Sequence, residues 1–159
     1  MKYKCENELN TFSLKDFDIL DISYENGTFS FLLNGGVAKY DNSCNETLEE
    51  RYISETHVRI MDAEIKEFFL EGGKYYTADD VLIKEVPDEA VSPEKYKEVL
   101  KSLKEEGKLF FIGEKSADAN ADTKTFEISV DKVNDTYWIT VSGSKIIIEF
   151  DRFMNRVMN

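Results

Sequence analysis

The sequence predicts an α+β protein. We expect a mainly antiparallel sheet of roughly six to eight strands, barrel-like in its curl, with one amphipathic helix over residues 93–106. Three observations predict this: a hairpin pattern near the N-terminus, a second near the C-terminus, and a single capped stretch of helical periodicity.

The first hairpin is Phe17 to Asn34, FDILDISYENGTFSFLLN. Asn26-Gly27 suits a two-residue type I′ turn, whose central residues both need φ > 0. Placing Glu25 opposite Thr28 then pairs Tyr24 with Phe29, Ile22 with Phe31 and Leu20 with Leu33. All six fall on one side, because side chains alternate along a strand. The other side carries Asp21, Ser23 and Ser30, with Leu32 the exception.

Before this hairpin, Leu9, Phe12 and Leu14 punctuate a polar entry segment. After it, Gly35-Gly36 break the strand. Val37 to Glu55, rich in Asn, Asp, Glu and Ser, reads as a long loop with a short helical turn at Glu46 to Tyr52. Thr56 to Met61 reads as a strand through Val58 and Ile60. Residues 62–70, DAEIKEFFL, fit either a helix capped by Asp62 or a strand that continues past a bulge. The strand is preferred because Gly72-Gly73 follow closely. Lys74 to Pro87 is a short extended piece.

The helix has Ser92 as N-cap, Pro93 at its first position and Glu94 near its positive end. Tyr96, Val99, Leu100 and Leu103 form its apolar stripe, and Gly107 its stop. Lys108 to Gly113, KLFFIG, reads as a buried strand. In the second hairpin pattern, Phe126, Ile128 and Val130 lead to YWITVSGSKIIIEF. A type II′ loop at Gly143-Ser144 would pair Val141 with Ile146, Ile139 with Ile148 and Tyr137 with Phe150. Residues 124–151 then form a three-stranded meander.

A chain of 159 residues is expected to be one domain. At that size roughly 70% of the unfolded surface is buried, so no staple is needed. Eleven Phe and eight Tyr against two Pro fit a β-rich core. A formal charge of −12 argues against nucleic acid and against anionic membranes, and favours a basic protein partner. No run of signal-peptide or membrane-spanning length is present, so a cytoplasmic protein is expected. Cys5 and Cys44 stand in no metal or redox spacing, and reduced thiols are the expectation.

Chemistry is sparse. His57 is the only histidine, so no multi-histidine metal site can form. There is no nucleophile elbow, P-loop or dinucleotide fingerprint, and nothing around Cys44 supports a Cys44–His57 pair. Asp118, Asn120 and Asp122 begin a calcium-loop pattern that Thr123 and Ser129 then break. No cofactor or metal is expected. Asp79-Asp80 and Glu49-Glu50 read as solvated surface. Trp138 lies off the apolar face of its hairpin; burial under the helix is the preferred reading, and an interface with Tyr52, Tyr75 and Tyr76 the alternative.

The leading expectation is a non-enzymatic acidic interaction protein. It would bind a basic protein through Trp138, Tyr52, Tyr75, Tyr76, Glu49 and Glu50, near the loops at Gly35–Glu55 and Ser116–Thr125. Small, acidic, β-rich chains without catalytic signatures are common among bacterial toxin-neutralising immunity proteins, an analogy of type that no motif carries. The alternatives are a small-ligand-binding β module and a hydrolase built on a carboxylate pair.

Overall fold

The structure, a computed structural model, describes residues 1–115 and 122–158. The early strands are β1 (Tyr3–Glu6), β2 (Phe12–Ser13), β3 (Ile19–Glu25), β4 (Thr28–Leu33), β5 (Gly36–Ala38), β6 (Arg51–Ile53) and β7 (Thr56–Met61). Then come β8 (Glu64–Leu70), β9 (Gly73–Tyr76), β10 (Leu82–Val86), β11 (Glu89–Ala90) and the helix α1 (Tyr96–Ser102). The chain ends with β12 (Gly107–Glu114), β13 (Lys124–Lys132), β14 (Asp135–Gly143), β15 (Lys145–Phe150) and β16 (Phe153–Arg156).

All strand pairs are antiparallel, but they do not make one curled sheet, and the sheets do not close into a barrel. A first five-stranded sheet runs β1-β15-β7-β4-β3, and a second runs β11-β8-β14-β13-β12. A third, four-stranded sheet runs β16-β6-β5-β2, and β9-β10 stand apart as a two-stranded arm.

The first hairpin forms as its turn chemistry dictates. Asn26 and Gly27 have φ of 51° and 72°, the signature of a type I′ turn. Tyr24 pairs with Phe29 and Ile22 with Phe31. Near the open end a bulge shifts the register, so Ile19 rather than Leu20 pairs with Leu33. The extra residue turns Ile19 into the core and leaves Leu20 exposed.

The second hairpin does not form. β14 pairs with β13 and β8, whereas β15 pairs with β1 and β7. Gly143-Ser144 is a corner at which the chain leaves the second sheet for the first. A type II′ loop needs positive φ at its first central residue, and Gly143 does not have it. The neighbouring strand turns the same corner at Asp62, φ 50°, between β7 and β8. Ser144 ties the two together: its N–H donates to the Met61 carbonyl (2.9 Å) and its hydroxyl to Asp62 Oδ2 (2.6 Å). Residues 62–70 therefore continue as a strand past the bend, with Ala63 and Ile65 buried. The first part of the meander stands, since β13 and β14 form a hairpin across Val133-Asn134.

One core serves both five-stranded sheets. Phe29, Phe31, Val58 and Ile148 come from the first, and Phe68, Phe126, Ile128 and Ile139 from the second. Each such side chain contributes about 1.5–3 kcal/mol when fully buried. Leu100 and Leu103 of α1 join this core, and Tyr96 stacks on Phe68. The helix is shorter than its periodicity suggests, because Pro93–Lys95 wind as a 3₁₀ turn and Ser92 makes no side-chain cap. The left-handed residue after it is Glu106 (φ 66°), not Gly107; a Cβ on Gly107 would collide with the Leu103 carbonyl oxygen.

Three further expectations are corrected. Residues 46–52 make no helical turn. Instead the Asn45 amide donates to the carbonyls of Lys39 (3.0 Å) and Glu49 (2.8 Å), folding the segment back so that β5 pairs with β6. Lys74 to Pro87 is a hairpin arm rather than a single extended piece. KLFFIG is an edge strand with only Leu109 fully buried, leaving Phe110 and Phe111 exposed. The calcium-type pattern at Asp118 and Asn120 lies outside the described residues.

Candidate binding surface

The outer face of the second sheet carries an aromatic strip. Strand register sets Phe111, Ser129, Trp138 and Phe69 side by side across β12, β13, β14 and β8. Residues two positions away share this face, which brings Glu127, Thr140 and Glu67 into the next row. Glu71 follows Phe69 by two, and Asp88 sits at the base of the arm, where its carboxylate accepts the Gly72 N–H (2.7 Å).

An open depression of about 390 Å³ is floored by Phe69, Trp138 and Thr140 and rimmed by Glu67, Glu71, Asp88 and Glu127. None of the side chains lining it is basic. Trp138 is half-buried; its ring lies 6.2 Å from that of Phe111, and its indole N–H donates to Glu71 (3.1 Å). That bond fixes the indole and pulls one carboxylate to the rim. Lys115 approaches Glu127 from outside (3.2 Å). Beneath the strip the Ser129 hydroxyl is fully buried and has no hydrogen-bond partner.

Trp138 is therefore not covered by the helix, which packs on the inner face through Tyr96 and Leu100. The other expected contact residues lie on different elements. Tyr52 is exposed on β6 of the third sheet, and Tyr75 and Tyr76 are exposed on the arm. Glu49 is already engaged by Arg51 (3.1 Å) and Arg156 (3.9 Å), while Glu50 is exposed beside it. Glu49 and Glu50 line one shallow depression with Arg156, and Trp138 groups instead with Phe69, Phe111 and four carboxylates that sequence reasoning passed over. One signal for them was present. Phe68-Phe69 and Phe110-Phe111 are consecutive pairs on strands, so one ring of each pair must leave the core.

His57 lies on the outer face of the first sheet, between Glu149 and Leu32 in register. Arg59 is ion-paired with Glu149, and the Met1 amino group also approaches Glu149 (3.9 Å). Burial, then the Arg59 charge, holds the His57 pKa below its ordinary 6.5, against the opposing pull of Glu149 and Asp21. The unfolded chain therefore takes up this proton first. The stability contributed is present above pH 6.5 and is lost as pH falls through the folded-state value. Thermal melts from about pH 7.5 to about pH 5 should show a Tm decline that is shallower in His57→Gln; parallel declines would reject this role.

Cys44 lies against Cys5, and its hydrogen-bond partners do not include His57. Among the described residues no cluster of three or more His, Cys, Asp or Glu is placed to hold a metal ion, and no helix is long and apolar enough to cross a membrane. Comparison with known protein families, with curated proteins and with solved structures returns no match. Flat aromatic rings beside carboxylates attract guanidinium and ammonium groups through ring quadrupole and charge together.

Proposed function

We propose that the protein is a non-enzymatic interaction protein of the cytoplasm that docks a basic partner protein on the outer face of its second sheet. The carrying observation is the Phe69–Trp138 floor within a rim of four carboxylates, with the Phe111 ring beside Trp138. A partly exposed aromatic patch outside the buried core is typical of recognition surfaces. The chain's net charge of −12 draws in a basic partner and raises the rate of encounter. Neutralising a basic toxin, as immunity proteins do, is one biological setting for such a surface, and it enters as an analogy of type.

The test is binding to a basic protein co-purified with the tagged chain, measured by titration against wild type and Trp138→Ala. Loss of a central aromatic anchor is expected to weaken the complex about 30-fold, equivalent to roughly 2 kcal/mol. Affinity should also fall several-fold as salt rises, because exposed charges are screened beyond about 10 Å at 0.1 M. Binding indifferent both to salt and to Trp138 would discard this surface. The variant's own melting curve should be close to wild type, since Trp138 is not part of the buried core.

A further inference from the structure

We infer that Cys5 and Cys44 form a reversible dithiol–disulfide pair, closed by exchange with a low-molecular-weight disulfide such as oxidised glutathione. The two residues are 39 apart in sequence, yet their sulfurs lie 3.5 Å apart. Cys5 is buried on β1, opposite Ile148 of β15, and Cys44 is half-exposed in the loop between β5 and β6. A disulfide needs an S–S separation near 2.05 Å, so an approach of about 1.5 Å closes it.

The approach is prepared by other groups. The Asn42 amide donates to Thr11 Oγ1 (2.9 Å) and to Cys5 Sγ (3.6 Å), and its carbonyl oxygen accepts the Cys44 N–H (3.0 Å). Asn42 is itself buried, so the loop is seated beside β1 before any bond forms. Thiols that only filled space would not need this shared amide between them.

The chemistry balances with the named reagent. The accessible Cys44 loses its proton and its thiolate attacks one sulfur of the reagent, forming a mixed disulfide and expelling one glutathione thiolate. Cys5 then loses its proton and attacks the Cys44 sulfur, expelling the second. The protein gives up two electrons and two protons, and the reagent is reduced to two thiols. Burial pushes the Cys5 thiol up to about 12, with the Cys44 hydrogen bond and charge adding to the rise and Asn42 opposing it. Cys44, half-exposed where Cys5 is buried, meets the reagent first. Once it is capped, its own contribution to holding the Cys5 proton is gone.

Closure would tie the edge strand of the first sheet to the loop that joins β5 to β6 of the third sheet and carries Glu49 and Glu50. The experiment uses the full chain in glutathione buffers of rising oxidised-to-reduced ratio, quenched by alkylation and read by intact mass and non-reducing peptide mapping. The expected result is loss of both free thiols together and a peptide joining Cys5 to Cys44, reversed by a dithiol reductant. Loop-closure entropy predicts a rise in Tm of roughly 10 °C on closure, absent in Cys44→Ser. Two results would overturn the inference: both thiols alkylated at every ratio, or Cys44 retaining glutathione while Cys5 stays free.

Discussion

Phe150→Ala is expected to lower the unfolding free energy by about 4 kcal/mol. Phe150 is fully buried at the end of β15, and its ring is enclosed by other rings. Tyr3 stacks on it at 5.1 Å, Phe153 meets it edge-on at 5.1 Å, and Phe12 does so at 6.1 Å. These neighbours come from β1, β16 and β2, so the residue joins the first sheet to the third. Truncation removes the transfer energy of the ring and leaves a cavity that three separately anchored strands cannot collapse to fill. Urea unfolding should show a midpoint lowered by about 2 M with an unchanged slope. A loss below about 1 kcal/mol would mean that the third sheet is not held through this ring.

Gly143→Ala is expected to cost about 3 kcal/mol, more than glycine's conformational freedom alone would explain. A Cβ there would lie 2.5 Å from Ile60 Cγ2 and 2.7 Å from the Met61 carbonyl oxygen. Neither can yield easily. Ile60 is fully buried, and the Met61 oxygen accepts the Ser144 N–H that holds the corner (2.9 Å). Gly27→Ala is the matched control. At Gly27 the space is open and only the positive φ of 72° matters, so about 1 kcal/mol should be lost. Equal losses at the two positions would show that crowding at the corner is not what requires glycine.

The N-terminal hairpin was legible because two independent signals agreed. Asn26-Gly27 specifies the turn, and the alternation of Ile22, Tyr24, Phe29 and Phe31 specifies the register. The bulge near Ile19 was not legible, since Ile19 and Leu20 are equally apolar and only the surrounding packing chooses between them. Strand 64–70 was recoverable from the Gly72-Gly73 that closely follow it, despite an Asp62 that also suits a helix cap and a bulge that breaks its alternation. The aromatic strip was half legible. Trp138 stood out by its parity, but its companions Phe69 and Phe111 come from strands distant in sequence. Their acidic neighbours were indistinguishable from other surface carboxylates.

The amino-acid sequence by itself determined the inward alternation of the N-terminal hairpin away from its bulge, the Asn26-Gly27 turn, and a large negative charge. These follow from local periodicity, turn stereochemistry and composition. Only the tertiary structure decided that Gly143-Ser144 is a corner between sheets and not a hairpin. Tyr137, Ile139 and Val141 face the core together with Ile146, Ile148 and Phe150 in either arrangement, so the apolar pattern is the same for both. Strand partnership alone separates them, and it is set by the competition of β8, β7, β13 and β1 for the same backbone hydrogen bonds.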